Sequence, residues 1–253
     1  IVTALGLEKK ESSLAYAMQK VRGEELNRVK EVNMITALAG KAAGVQVSKN
    51  SSGMGGSAKV SIRGVRSVAG DNQPLYVIDG VPMLNSTSEQ AYSAIGGTAN
   101  AGNRDGGDGI SNLNPEDVES ISILKGAPAA ALYGSQAANG VILITTKKGN
   151  TVGRRDIHFS TGLTFEKAFS LPEMQNSYGV NDVTDSWGEK ENLTVYDNLG
   201  DFFRTGLTSI TSVSVNSGND KLQTYFSYAN TTGRGILNEN KLSKHNINLR
   251  ETA

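Results

Sequence analysis

The sequence contains no cysteine, and only two of its 253 residues are histidine. These absences remove disulfides, thiolate nucleophiles and thiolate zinc sites, and they leave any metal with oxygen ligands. Net charge is missing as well, because 25 Lys and Arg residues balance 25 Asp and Glu residues. A nucleic-acid binder would carry a basic footprint, so a polyanionic partner is not expected. No apolar run approaches the roughly 20 residues of a membrane helix. Ile1-Val2-Thr3-Ala4 is followed closely by the charged Glu8, Lys9, Lys10 and Glu11, without the apolar stretch of a signal peptide. The sequence stops at Arg250-Glu251-Thr252-Ala253, inside an alternating pattern, and so reads as a fragment. Glycine is plentiful at 29 residues while proline numbers 5, which favours a β-rich or mixed protein with tight turns.

From about Leu14 to Lys148 the pattern is mixed α/β. Leu14, Tyr16 and Met18 alternate toward Val21, predicting a strand. Asn33 reads as an N-cap for the short apolar segment Met34, Ile35, Leu38, which Gly40 and Gly44 end. Strands are predicted at Val45-Gln46-Val47, at Val60 to Ile62, and at Leu75-Tyr76-Val77-Ile78, where the unbroken apolar run implies burial on both faces. Residues 83–113 are polar and glycine-rich with no sustained period, as functional loops are. Asn114-Pro115-Glu116-Asp117 has the features of a helix start: a cap, a proline in first position, and acids at the N-terminus. A strand at Ile121 to Leu124, a helix at Ala127 to Tyr133 and a strand at Val141 to Thr146 complete this part.

The character changes after Gly149. Ile157, Phe159, Thr161, Leu163 and Phe165 alternate with His158, Ser160, Gly162 and Thr164, close to the length of a strand that crosses a bilayer at a tilt. The pattern returns around Val213 and Val215, around Leu222, Phe226 and Tyr228, and around Ile247 and Leu249. Long polar stretches and short turns such as Ser217-Gly218-Asn219-Asp220 separate the segments, which is the habit of outer-membrane barrels. A soluble antiparallel sheet buried on one face alternates in the same way.

Several short motifs fail in context. Gly53-Met54-Gly55-Gly56-Ser57-Ala58 satisfies G-x-G-x-x-A but opens a strand pattern, whereas a dinucleotide site needs a helix there. Ser122-Ile123-Leu124-Lys125 matches S-x-x-K without its companion motifs. The acidic, glycine-rich run Asn103 to Gly109 lacks EF-hand spacing. His158 and His245 have no paired acid nearby in sequence. No catalytic constellation emerges, and neither enzyme activity nor a cofactor is expected.

Longer motifs carry a resemblance. Pro115 to Gly134, continuing through Ala138-Asn139-Gly140 and Val141 to Lys147, resembles the plug signature of TonB-dependent outer-membrane transporters. Val60-Ser61-Ile62-Arg63-Gly64 and Leu75 to Pro82 match two further plug motifs in the same order. Gln73-Pro74-Leu75-Tyr76, Asp108-Gly109-Ile110-Ser111 and Asp201-Phe202-Phe203-Arg204-Thr205-Gly206 are similar to the SusC branch, the glycan and peptide importers of Bacteroidetes.

The resemblance implies an α+β plug domain, a mixed sheet with short helices, followed by antiparallel transmembrane β-barrel strands. It divides the chain into a TonB-box remnant and linker (1–11), the plug (12–149) and the first strands of the wall (150–253). Such barrels close about 22 strands. The 104 residues after Gly149 in a chain of 253 hold about four strands of ~10 residues with their loops, so the barrel would be incomplete. An open sheet of this kind in lipid leaves unpaired edges.

By the same resemblance, Ile1, Val2, Thr3 and Ala4 would meet TonB, working with ExbB and ExbD, from the periplasmic side of the outer membrane. Asn50, Ser51, Ser52, Met54, Met83, Leu84, Asn85 and Ser86 would face a glycan or oligopeptide ligand. Arg63 is expected to pair with a barrel acid and lock the plug, and a SusD-like surface lipoprotein is the implied partner. The alternative is a soluble α/β binding or adhesion module with a β-sheet extension.

Overall fold

The computed structural model describes residues 18–49, 54–67, 72–83, 85, 87–89, 105–151, 153–184, 187–191 and 196–252. The first structural unit is built on a five-stranded mixed sheet. Its strands are β1 (Met18–Arg22), β4 (Leu75–Ile78), β5 (Val81–Met83), β8 (Val118–Leu124) and β9 (Val141–Thr146), in the order β1-β8-β9-β4-β5. Two two-stranded antiparallel sheets accompany it, β2 (Val45–Lys49) with β3 (Ala58–Ile62), and β6 (Thr87–Glu89) with β7 (Asp105–Asp108). The helices are short: α1 (Gly23–Asn27) and α2 (Ala127–Tyr133).

The central strands are apolar on both faces, and each face has its own cover. Ile142 and Ile144 of β9 join Tyr76, Ile121, Ile123, Met34, Ile35, Leu38 and Val60 in one buried cluster. Val141 and Leu143 point the other way, against Val77, Leu124 and Ala129 of α2. A strand buried on both faces reads as an unbroken apolar run, which is why β4 and β9 fall where the sequence places them. Asp79-Gly80 joins β4 to β5 with φ of 47° and 89°, the pair of left-handed residues that a tight type I′ hairpin turn needs.

Two expected helices reduce to single turns. Asn33 Oδ1 accepts the Ile35 N–H at 3.0 Å, but the 3₁₀ turn Thr36–Leu38 that follows has Ile35 at its N-cap and no side-chain cap. Asn114 likewise accepts the Glu116 N–H at 3.2 Å, and the 3₁₀ turn Pro115–Asp117 passes straight into β8. The cap forms at Asn114 and not at Asn33. At 114–117 the β-alternation begins at Val118, whose pairing with β9 leaves no room for a second helical turn.

The second unit is an antiparallel meander of β10 (Arg155–Glu166), β11 (Gly206–Gly218), β12 (Gln223–Arg234) and β13 (Lys241–Thr252). Helix α3 (Asn198–Phe202) stands in the long connection between β10 and β11, while Asn219 closes the short turn from β11 to β12, its N–H donating to the Leu222 carbonyl at 2.8 Å. The alternation is inside-out for a soluble sheet. Most of the large apolar side chains point away from the protein, Ile210 and Tyr225 excepted: Ile157 is 73% exposed, Phe159 67%, Phe165 70% and Ile247 73%. Thr208, Ser212, Ser227 and Thr231 point the other way and are buried. A large aliphatic or aromatic side chain gains about 1.5–3 kcal/mol on leaving water, so this outward face is built for an apolar surround. No helix among the described residues is long and apolar enough to cross a membrane.

Candidate functional site

The polar face of the meander lies against the mixed sheet, and their seam is the candidate site. From β10, Ser160 Oγ donates to Glu116 Oε1 at 3.2 Å, and Lys30 pairs with both Glu116 and Ser160. Gly162, one inward position further along β10, leaves the space that the Lys30 stem occupies; a Cβ there would collide with it. From β12, Tyr225 is buried and its hydroxyl donates to Asp117 Oδ1 at 3.0 Å.

Strand β13 contributes a ladder of alternate residues. Lys244 Nζ donates to the Ser111 carbonyl and Asn246 Nδ2 to the Asn112 carbonyl, both at 2.6 Å. Asn248 Nδ2 reaches Asp117 Oδ2 at 3.3 Å. Arg250 Nη1 meets Asp79 Oδ2 at 2.8 Å and also contacts Thr146. Asp79 is held for this role, because its carboxylate accepts the Thr146 N–H at 3.0 Å and the Thr146 hydroxyl at 2.6 Å. Asp79, Glu116, Asp117 and Thr146 all sit where β4, β8 and β9 meet at one end of the sheet. The meander therefore grips the mixed sheet by one end.

At the other side of the seam a cleft of about 340 Å³ opens between Glu31, Asn33, Thr36 and Met54 on one wall and Glu166, Phe203, Thr208 and Leu237 on the other. Glu31 is already paired with Lys49 at 2.9 Å. Met54 packs where Gly233 of β12 has no side chain.

The expected site residues divide accordingly. Ile1, Val2, Thr3, Ala4, Asn50, Ser51, Ser52, Leu84 and Ser86 lie outside the described residues. Met54 lines the cleft, and Met83 packs against the larger apolar cluster. Both ends of the Asn85 amide are engaged: Oδ1 accepts the Ile110 N–H at 3.0 Å and Nδ2 reaches Asp108 at 3.4 Å. Asp108 is buried and also accepts the Ala58 N–H at 3.4 Å, so the loop carrying Met54 and the segment carrying Asn85 meet at this carboxylate. Arg63 is exposed, has φ of 61°, and lies over Gly126; among the described residues it pairs with no acid. Among the described residues Arg250 does cross the seam, with the charges in the opposite sense, the cation on the meander and the acid on the mixed sheet.

Residues 10–141 match the family model described as TonB-dependent Receptor Plug Domain. The chain belongs to the TonB-dependent receptors. The TonB-dependent receptor SusC of Bacteroides thetaiotaomicron is 32% identical over 245 residues, 94% of this chain and 22% of its own length. The ferrienterobactin receptor of Escherichia coli is 30% identical over 168 residues, 62% of this chain and 21% of that protein. A solved structure of the RagAB peptide importer in its open-open state superposes with a TM-score of 0.69, covering 98% of this chain and 30% of that one at 24% identity. The chain thus spans between a fifth and a third of the length of these relatives. The mixed sheet is the plug, the meander is barrel wall, and the family consists of outer-membrane receptors with the plug inside the barrel, not of enzymes.

Proposed function

We propose that the full-length protein imports a nutrient, a glycan or an oligopeptide, across the bacterial outer membrane by TonB-dependent active transport. The inside-out wall carries this reading: it presents apolar side chains outward and clasps the plug with its polar face, as a plugged transmembrane barrel requires. Residues 1–11 serve as TonB-contacting linker, 12–149 as plug and 150–253 as the first wall strands. TonB, driven through ExbB and ExbD, takes hold of the Ile1 to Ala4 segment as an added strand, a mode suited to β-branched residues. The N-terminus then lies on the periplasmic side.

Asn50, Ser51, Ser52, Met54, Met83, Leu84, Asn85 and Ser86 form the ligand-facing loops of the plug, with a SusD-like lipoprotein above them. Arg63 pairs with a barrel carboxylate and holds the plug shut. Growth on single nutrients supplies the test. Deleting the gene or tonB should abolish growth on the cargo; growth independent of both would contradict import.

A further inference from the structure

The outward face of β12 and β13 is not uniformly apolar. Opposed cross-strand pairs share a face, and the register fixes them in order: Phe226 with Leu249, Tyr228 with Ile247, Asn230 with His245, Thr232 with Ser243, Arg234 with Lys241. Moving toward the end that carries the long connection, the pairs pass from apolar, through hydroxyl, amide and imidazole groups, to two cations. The groups between are ordered, with His245 Nδ1 lying 2.9 Å from the Tyr228 hydroxyl and 3.1 Å from Asn230 Nδ2.

The last pair is anomalous. Like charges directly opposite one another on a sheet repel, yet Arg234 and Lys241 are so placed. Lys241 is tied to Glu239 at 3.1 Å, both side chains being largely exposed, and such surface pairs contribute little. Arg234 forms no ion pair among the described residues. A cleft of about 640 Å³ opens here, lined by Leu207, Ser209, Thr232, Arg234, Lys241 and Ser243. An anion seated in it would turn the repulsion into two charge-assisted contacts.

We propose that this cleft binds the phosphorylated headgroup of an outer-leaflet glycolipid. The assignment rests on the membrane reading above, together with the habit of outer-membrane barrels of carrying their long loops outside and their short turns on the periplasmic side, which turns the long-connection end outward. The order along the strands matches an amphiphile's own order: acyl chains on Phe226, Ile247 and Leu249, sugar hydroxyls on Asn230, His245, Thr232 and Ser243, phosphate between Arg234 and Lys241. Basic pockets on membrane proteins recognise lipid headgroups by the same chemistry.

The test uses the full-length transporter, delipidated in detergent, with native mass spectrometry as the readout. Phosphorylated lipid A should form a discrete adduct. Dephosphorylated lipid A, or the Arg234→Gln/Lys241→Gln variant, should bind about tenfold more weakly or less, the worth of one good charged contact. Equal binding of the dephosphorylated lipid overturns the proposal, as does undiminished binding by the variant, or displacement by millimolar inorganic phosphate, which would mark a plain anion pocket. Heat-modifiable gel mobility establishes that the variant is folded; should it not be, Arg234→Gln alone carries the same expectation. TonB-dependent uptake is followed in parallel. Uptake with no phosphate-dependent adduct removes the lipid site alone, whereas an adduct with no uptake removes the import reading alone.

Discussion

Tyr225 is an aromatic residue on the polar side of its strand, and the seam explains why. Its ring fills space against the plug while its hydroxyl donates to Asp117, whose other oxygen receives Asn248. Tyr225→Phe keeps the ring and leaves a buried carboxylate one donor short, which costs about 1–2 kcal/mol. The thermal unfolding midpoint of the full-length protein should fall accordingly; an unchanged midpoint would show that the hydroxyl is idle. Gly162 illustrates the opposite requirement, a side chain that must be absent. Gly162→Leu would fill the groove of the Lys30 stem and force the Lys30–Glu116 pair apart. Faster proteolysis within the plug is the expected result, and wild-type resistance would contradict it.

Among the elements, β13 holds the plug most extensively, and Arg250 is its charged rung. Arg250 and Asp79 are both about three-quarters shielded from solvent, so their contact is worth more than a surface pair, of the order of 1–3 kcal/mol. Arg250→Ala and Asp79→Ala channels should each leak ions in planar bilayers, and the double variant should leak no more than either alone. Additive leaks, or none, would mean that the two residues do not act as a unit.

Local pattern made β4, β9, α2 and the four wall strands legible, because burial on two faces, helical composition and strand alternation are all written within a dozen residues. The seam was less legible. Asn246, Asn248 and Arg250 alternate with Ile247 and Leu249, but Arg250 and Asp79 are 171 positions apart, and nothing near either names the other. Asn85 was readable as an exposed loop amide; its engagement with Asp108 and Ile110 depends on a fold that only long-range contacts define. Asn114 caps its turn as the local sequence predicts and Asn33 does not, while the length of the turn after Asn114 is set by strand pairing that no cap encodes.

At the scale of the whole molecule, the wall's orientation governs everything else, since a sheet with its apolar side outward has no place in water. Phe159→Arg should destabilise the protein in bilayers by about 2–4 kcal/mol if the site lies near the midplane, read as a lower denaturant midpoint. The most direct measurement is spin-label accessibility on the full-length protein in lipid vesicles. Labels replacing Phe159, Val213 and Ile247 should be relaxed by oxygen and ignored by a water-soluble nickel chelate, while labels replacing Ser212 and Ser227 should be reached poorly by oxygen. Labels at Phe159 and Val213 that respond to nickel, or that neither agent reaches, would contradict a lipid-facing wall.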